Sequence, residues 1–227
     1  MNTENNAPFN TLPPVVVALF LVMMGIEIAF QMGARGLAGG PAAVGWRLDA
    51  VQSYGFSAPV FQKMIELGRY PAEHMLRLVS YAFVHGSFTQ AVFAGVMILA
   101  LGNMVGRVFS QVATLLVFLV GTVAGAVVFG LVSASQYALI GAFPGVYALI
   151  GAYSFLLWTH QGLVGGNKLS AFRLIGVLLG IQLVFGLLFG SQPDWIADIA
   201  GFAAGFAVSF LLVPGGWRRI RDRMRHR

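Results

Sequence analysis

The sequence contains no cysteine, so it can form neither a disulfide nor a thiolate nucleophile, and cysteine usage says nothing about the redox compartment. Charge is scarce too. Only 10% of the 227 residues are Asp, Glu, Lys or Arg, against roughly 25% in a soluble domain. So few charges cannot cover a surface in water. There is no His-Glu-x-x-His helix for a metalloprotease. His74, His85, His160 and His226 are scattered, and with no cysteine to complete a zinc site, no metal and no cofactor is expected. An aspartyl mechanism needs two carboxylates converging from different helices. Asp194 and Asp198 instead share one helix, and Glu27 is the only other acid inside an apolar run. No internal repeat is found, which argues against the inverted-repeat transporters. Two deep charges, Glu27 and Asp198, are too few for a solute pathway.

Apolar residues make up 58% of the chain and glycine contributes 29 positions. That is the composition of helices packed closely in lipid. Six apolar runs stand out: Pro14 to about Met32, then roughly Leu76–Leu101, Phe109–Val132, Ala138–Thr159, Leu169–Gly190 and Trp195–Val213. Each is long enough to cross a bilayer core of about 30 Å. The expected fold is all-α, a polytopic membrane protein of six spans. Residues 1–12 read as a disordered tail without the basic start of a signal peptide. Residues 13–213 form the membrane domain. Within it, residues 33–75 mix Arg35, Arg47, Lys63, Arg69 and several aromatics, and read as a loop lying in the membrane interface.

The formal charge of +6 is concentrated at the end. Residues 214–227 carry Arg218, Arg219, Arg221, Arg223, Arg225 and Arg227. They read as a cytoplasmic anchor with added attraction to anionic lipid, and no base-reading pattern accompanies them, so no nucleic acid is expected. The breaks at Arg107 and Lys168 are basic and the other short breaks are not. Six spans then place both termini in the cytoplasm, with the first loop an exception to the charge rule.

Three segments together resemble the rhomboid intramembrane serine proteases. They are LRLVSYAFVHGSFTQAVFAGVMILALG at 76–102, GAFPGVYALIG at 141–151 and ADIAGFAAGF at 197–206. The order of the motifs, the six runs and the long first loop agree with that family. The resemblance implies that Arg77 and His85 match family positions, while Leu76 stands where a Trp is expected. Trp46-Arg47 looks like the family's Trp-Arg dipeptide but comes too early. Gln90 stands at a second histidine and Ala94 at an asparagine, both of which line the oxyanion site in the family. Aligning on Tyr147 puts Phe143 at the nucleophilic serine and Pro144 at the glycine after it. Aligning on Gly201 and Gly205 puts Asp198 at the general-base histidine.

Serine peptide cleavage needs a hydroxyl within reach of a base, and phenylalanine has none. Loss of such a nucleophile costs on the order of 10⁶ in rate in a soluble case. The expected function is therefore a non-catalytic rhomboid, a pseudoprotease of a bacterial inner membrane that binds transmembrane segments of client proteins. The alternative is an active, or homology-named, rhomboid-type endopeptidase with relocated groups. His85, Gln90, Phe143, Tyr147 and Asp198 are the candidates for lining a retained cavity. Arg77, Gly141, Gly145, Gly201 and Gly205 are expected to be structural, with Arg77 tying down the first loop or reaching lipid phosphate. Gly141, Gly145 and Ala148 should meet the glycine stripe of the last helix. Asp194, after Pro193, should cap that helix. Asp198 is expected either as a carboxylate in a wet outer cavity or as a partner-binding group. Glu27 is expected to pair with Arg35, Arg47 or Arg69. The sequence leaves client and oligomeric state open.

Overall fold

The computed structural model describes residues 12–189 and 193–213, so the N-terminal tail and the C-terminal arginine cluster lie outside the described residues. Nine α-helices are formed among the described residues. In chain order they are α1 (Pro14–Ala34), α2 (Trp46–Tyr54), α3 (Ala58–Leu67), α4 (Ala72–Ser80), α5 (Phe88–Gly106), α6 (Gln111–Val132), α7 (Phe143–Leu163), α8 (Arg173–Phe189) and α9 (Trp195–Leu212). No described residue belongs to a strand. One isolated antiparallel bridge joins Phe56 to Leu139.

Four helices, α1, α5, α6 and α9, are long and apolar enough to cross a membrane. The architecture is that of an all-α, multi-pass membrane protein. α7 falls outside that group in composition because Tyr147, Tyr153, Ser154 and His160 dilute it. Its position removes the need for lipid-facing apolarity. Every residue from Pro144 to Ala152 is buried, between α5, α6 and α9. A span enclosed by other spans is solvated by protein, so its sequence need not be uniformly apolar.

Two expected runs begin later than hydropathy suggests. The stretch from Leu76 is not one span. α4 ends at Ser80, a 3-10 turn covers Tyr81–Phe83, and α5 begins only at Phe88. Ser87 sets that start, its hydroxyl accepting from the Gln90 N–H at 3.2 Å. The stretch from Ala138 likewise starts extended. Leu139 exchanges two backbone hydrogen bonds with Phe56, at 2.8 and 3.0 Å, and Gly141 donates to the Tyr81 carbonyl at 2.9 Å. Gly141 has φ +97°, a conformation that favours glycine, and Pro144 falls in the first turn of α7, where a missing N–H costs nothing. Hydropathy sees neither break because the breaking residues are themselves apolar or small.

α7 and α9 touch backbone to backbone. A Cβ on Gly201 would fall on the Pro144 carbonyl, one on Gly205 on the Ala148 carbonyl, and one on Gly151 on the Phe202 carbonyl. α6 approaches the same helix through Gly121, against Ala148, and Gly125, where a Cβ would lie 2.6 Å from that of Pro144. The expectation for the glycines thus holds in part. Ala148 meets the α9 stripe, but Gly145 turns to α6, against the Phe118 ring, and Gly141 turns to Gln90 and His85. The reason is helical geometry. The residues of α7 that face α9 are 144, 148 and 151, spaced by four and three, and position 145 is rotated onto the neighbouring face.

Gly205→Val should therefore lower the unfolding temperature of the detergent-solubilised protein, with a cost of about 1–3 kcal/mol or more from overpacking. Gly25→Ala should be neutral or stabilising by about 0.4–1 kcal/mol, since its Cβ would meet nothing within 4 Å. Equal melting of the two variants would contradict the packing described.

Candidate functional site

The ends of α1 and α6 and the starts of α5, α7 and α9 gather at one end of the bundle, and the first loop folds over them. The loop is fastened there by a carboxylate inside α1. Glu27 is 1% exposed. Arg47, from α2, reaches it with both guanidinium nitrogens: Nη2 to Oε1 at 2.5 Å and Nη1 to Oε2 at 2.9 Å. Gln31, one turn on, donates to Glu27 Oε1 at 3.0 Å. Of the three arginines considered for Glu27, Arg47 is the partner. The bidentate fork is the geometry a guanidinium is built for. Trp46 holds the loop beside it. Its ring occupies the space that side chains at Gly33 and Gly39 would need, and Arg47 lies 5.2 Å from the centroid of the Phe30 ring.

Arg47 also carries the connection onward. Its Nη1 donates to the His85 carbonyl at 2.6 Å. His85 lies in the segment before α5 and is 1% exposed. Its Nε2 accepts from the Ala142 N–H at 3.3 Å, which directs the imidazole proton to Nδ1. Burial pushes the His85 imidazole down to about 4, against the pull of Glu27 toward protonation. It is therefore a neutral acceptor at the head of α7. Gln90 is adjacent. Its Oε1 accepts from the Gly86 N–H at 2.8 Å, and its Nε2 lies 3.0 Å from where a Cβ on Gly141 would stand.

Phe143 is the first residue of α7 and is half-buried. Its ring lies 6.2 Å, centroid to centroid, from that of Phe93 on α5, and it packs on the core that contains Ala94 and Tyr147. Ala94 is fully buried and Tyr147 nearly so. Asp198, on α9, is 3% exposed and lies within electrostatic reach of both Tyr147 and Tyr81. Tyr81 donates its hydroxyl to the Thr122 carbonyl at 2.8 Å. Burial, with the Asp198 and Asp194 charges, holds its phenol well above the usual range.

The sequence candidates thus gather around one helix start. His85, Gln90 and Gly141 adjoin one another, Phe143 faces Phe93, and Tyr147 lies near Asp198. Gly201 lies beneath the same start, against Pro144. Two expectations need correction. Asp194 occupies the cap position of α9 but its side chain makes no capping hydrogen bond. Arg77 is half-buried on α4, makes no ion pair with a described residue, and its Nε has no hydrogen-bond partner. The tie to the loop comes from Arg47 instead. Phe93 was not anticipated. Its only sequence signal is its place on α5 between Gln90 and Ala94. Among the described residues no cluster of three His, Asp or Glu side chains forms a metal site.

The Rhomboid domain model matches residues 72–215. Over 219 residues the chain is 25% identical to the “Putative rhomboid protease YdcA” of Bacillus subtilis (strain 168), covering 96% of this chain and 98% of that protein. It is also 27% identical over 152 residues to the “RHOMBOID-like protein 4” of Arabidopsis thaliana, which covers 64% of this chain and 37% of that protein.

Arg47→Met should destabilise the protein by about 3–5 kcal/mol, because it leaves a buried carboxylate without its cation. Adding Glu27→Met should recover most of that loss, and denaturant or thermal unfolding of the two variants measures it. Separately, the imidazole of His85 binds its proton less tightly folded than unfolded. Stability on its account is full above the unfolded value of about 6.5 and falls as pH drops from there toward about 4. His85→Gln should flatten that part of the stability–pH curve.

Proposed function

The chain belongs to the rhomboid family, and on that premise we propose that it is a non-catalytic member, a pseudoprotease that binds transmembrane segments of client proteins. The observation that carries the proposal is the ring of Phe143 at the head of α7, packed toward Phe93 in the place the family gives its nucleophile. Asp198 stands at the position the family gives its base, near the phenols of Tyr147 and Tyr81, and the residue aligned with the family's nucleophile, Phe143, carries no hydroxyl. The two serine hydroxyls in the preceding loop accept from backbone. Ser133 accepts from the Ser135 N–H and Ser135 from the Tyr137 N–H, both at 3.1 Å. His85 accepts from the backbone of α7.

What the family scaffold retains supports a binding role. The close packing of α6, α7 and α9 through glycine is kept, and a polar set of His85, Gln90, Tyr147 and Asp198 lies around the first turns of α7 and α9. Such groups inside an apolar bundle suit recognition of a polar or helix-breaking spot in a client's span. We place the protein in a bacterial inner membrane with six spans and both termini in the cytoplasm, on the basic breaks at Arg107 and Lys168 and the C-terminal arginines.

The competing reading is an intramembrane serine endopeptidase, favoured by full-length similarity to a protein named as a protease. The purified protein, incubated with a cleavable transmembrane substrate, should give no product, and a fluorophosphonate probe should label no serine. Cleavage that disappears with Asp198→Asn or His85→Ala would overturn the proposal in favour of the enzyme.

A further inference from the structure

At the end of the bundle opposite the helix-start site, α7 stops at Leu163 and α8 begins at Arg173, with a 3-10 turn, Lys168–Phe172, before it. The turn is held firmly. Ala171 is 1% exposed, and the Phe172 ring packs on those of Phe202 and Phe206 of α9, at 6.3 and 5.6 Å between centroids. The Asn167 side chain accepts from the Leu169 N–H at 2.9 Å, and the Asn167 carbonyl accepts from the Ser170 hydroxyl at 2.7 Å. Between the turn, α7 and α8 lies an open recess of about 550 Å³, lined by Leu157, Gln161, Ser170, Arg173, Leu174 and Val177. Its chemistry changes with depth. On α7, Gln161 stands one turn nearer the helix end than Leu157. On α8, Arg173 stands one turn nearer the helix end than Val177. The mouth is therefore polar and the floor apolar.

The charge here has no counterpart. The sequence contains no Asp or Glu between Glu73 and Asp194. The described acids belong to α1, the first loop and the start of α9, and Glu27 is turned to Arg47. Arg107, Lys168 and Arg173 thus share this end with no acid among the described residues to neutralise them. Lys168 lies 5.4 Å from the centroid of the Trp158 ring instead. A tryptophan topped by a lysine is the arrangement of the lipid–water boundary, where ring and ammonium each find their medium. Arg173 is exposed, and neither it nor the Gln161 side chain makes an ion pair or hydrogen bond with a described residue. Both are free to donate into the recess.

We propose that this recess, between the end of α7 and the start of α8, seats the headgroup of an anionic glycerophospholipid. Its phosphate meets the Arg173 guanidinium and the Gln161 amide, and the upper carbons of its acyl chains lie on Leu157, Leu174 and Val177. Ser170 has committed its proton to the Asn167 carbonyl, so its oxygen is left to accept from a headgroup hydroxyl. A soluble phosphate compound has nothing to set on the apolar floor. The chain's own residues 214–227, with six arginines and one acid, carry the same sign of charge as the recess and do not complement it. A lipid seated there bridges α7 to α8.

The full chain in neutral detergent, titrated with dioleoylphosphatidylglycerol or dioleoylphosphatidylcholine and read by native mass spectrometry, tests this. At roughly 0.15 M ammonium acetate, exposed charges more than about 8 Å apart are largely screened, and the C-terminal arginines add the same background to every variant. The phosphatidylglycerol should be retained more strongly than the phosphatidylcholine. Arg173→Gln should lower its retention about fivefold. Val177→Trp, which fills the recess without changing charge, should lower it as well. Both side chains are exposed, so neither change disturbs the core. Arg107→Gln removes a cation of the same end that lies outside the recess, and should leave retention unchanged. Equal losses with Arg107→Gln and Arg173→Gln, full retention by Val177→Trp, equal retention of the two lipids, or displacement by millimolar inorganic phosphate would each overturn the assignment.

Discussion

A carboxylate inside a spanning helix has to be neutralised, and the way Glu27 is neutralised organises the rest of this molecule. The charge cannot reach water from a position 1% exposed, so a cation must come to it. That cation arrives on the first loop. Once Arg47 forks onto Glu27, the loop is fixed to α1, and the same guanidinium fixes the His85 carbonyl before α5. His85 in turn receives the N–H of Ala142, the residue that precedes α7. One ion pair thereby sets the relative heights of α1, the loop, α5 and α7. It does so with groups that satisfy one another, which is what a low-dielectric interior requires of buried polar atoms.

That anchoring explains why α7 can be so different from its neighbours. The residues before its start are held by the Gly141 N–H donating to the Tyr81 carbonyl and the Ala142 N–H donating to the His85 imidazole, and its body is clasped by glycines of α6 and α9. Glycine contacts let three backbones approach more closely than larger residues allow, and dispersion between them replaces the hydrophobic drive that lipid cannot supply. Because α7 is solvated by protein, its polar residues carry a smaller penalty than they would on a lipid-facing span. The helix that would bear a nucleophile in the family is thus the one with most freedom in composition, and Phe143 stands at its head.

Much of this was legible in the sequence, and the rest was hidden for definable reasons. The long apolar runs of α1, α6 and α9, the glycine stripe at Gly201 and Gly205 and the pairing need of Glu27 are one-dimensional signals, because hydropathy, spacing and lone charge survive without coordinates. The late starts of α5 and α7 were not visible, since they depend on Ser87 capping and on Leu139 pairing with Phe56, contacts between segments distant in sequence. Gly145 was assigned to the wrong neighbour because a stripe of small residues gives the face only to within one position. Arg77 drew attention from its motif, whereas Arg47 makes the tie. A motif identifies a residue's history, but only geometry shows which guanidinium lies within reach of the acid.

On the proposed non-catalytic reading, the pairing of Phe143 with Phe93 bears on how a helix start of this kind keeps its shape without a hydroxyl. A hydroxyl removed from a packed helix start leaves a gap, and a gap in an interior costs stability in proportion to its volume. An aromatic ring fills it and gains contact with a second ring across α5. The nearby polar groups do not need the alcohol in order to be satisfied. His85 has the Ala142 N–H, and Gln90 has the Gly86 N–H. The backbone scaffold that would position a reacting group is therefore stable in its absence. Folding accounts for these polar groups and for the tight helix packing, and the proposed binding role can rest on them.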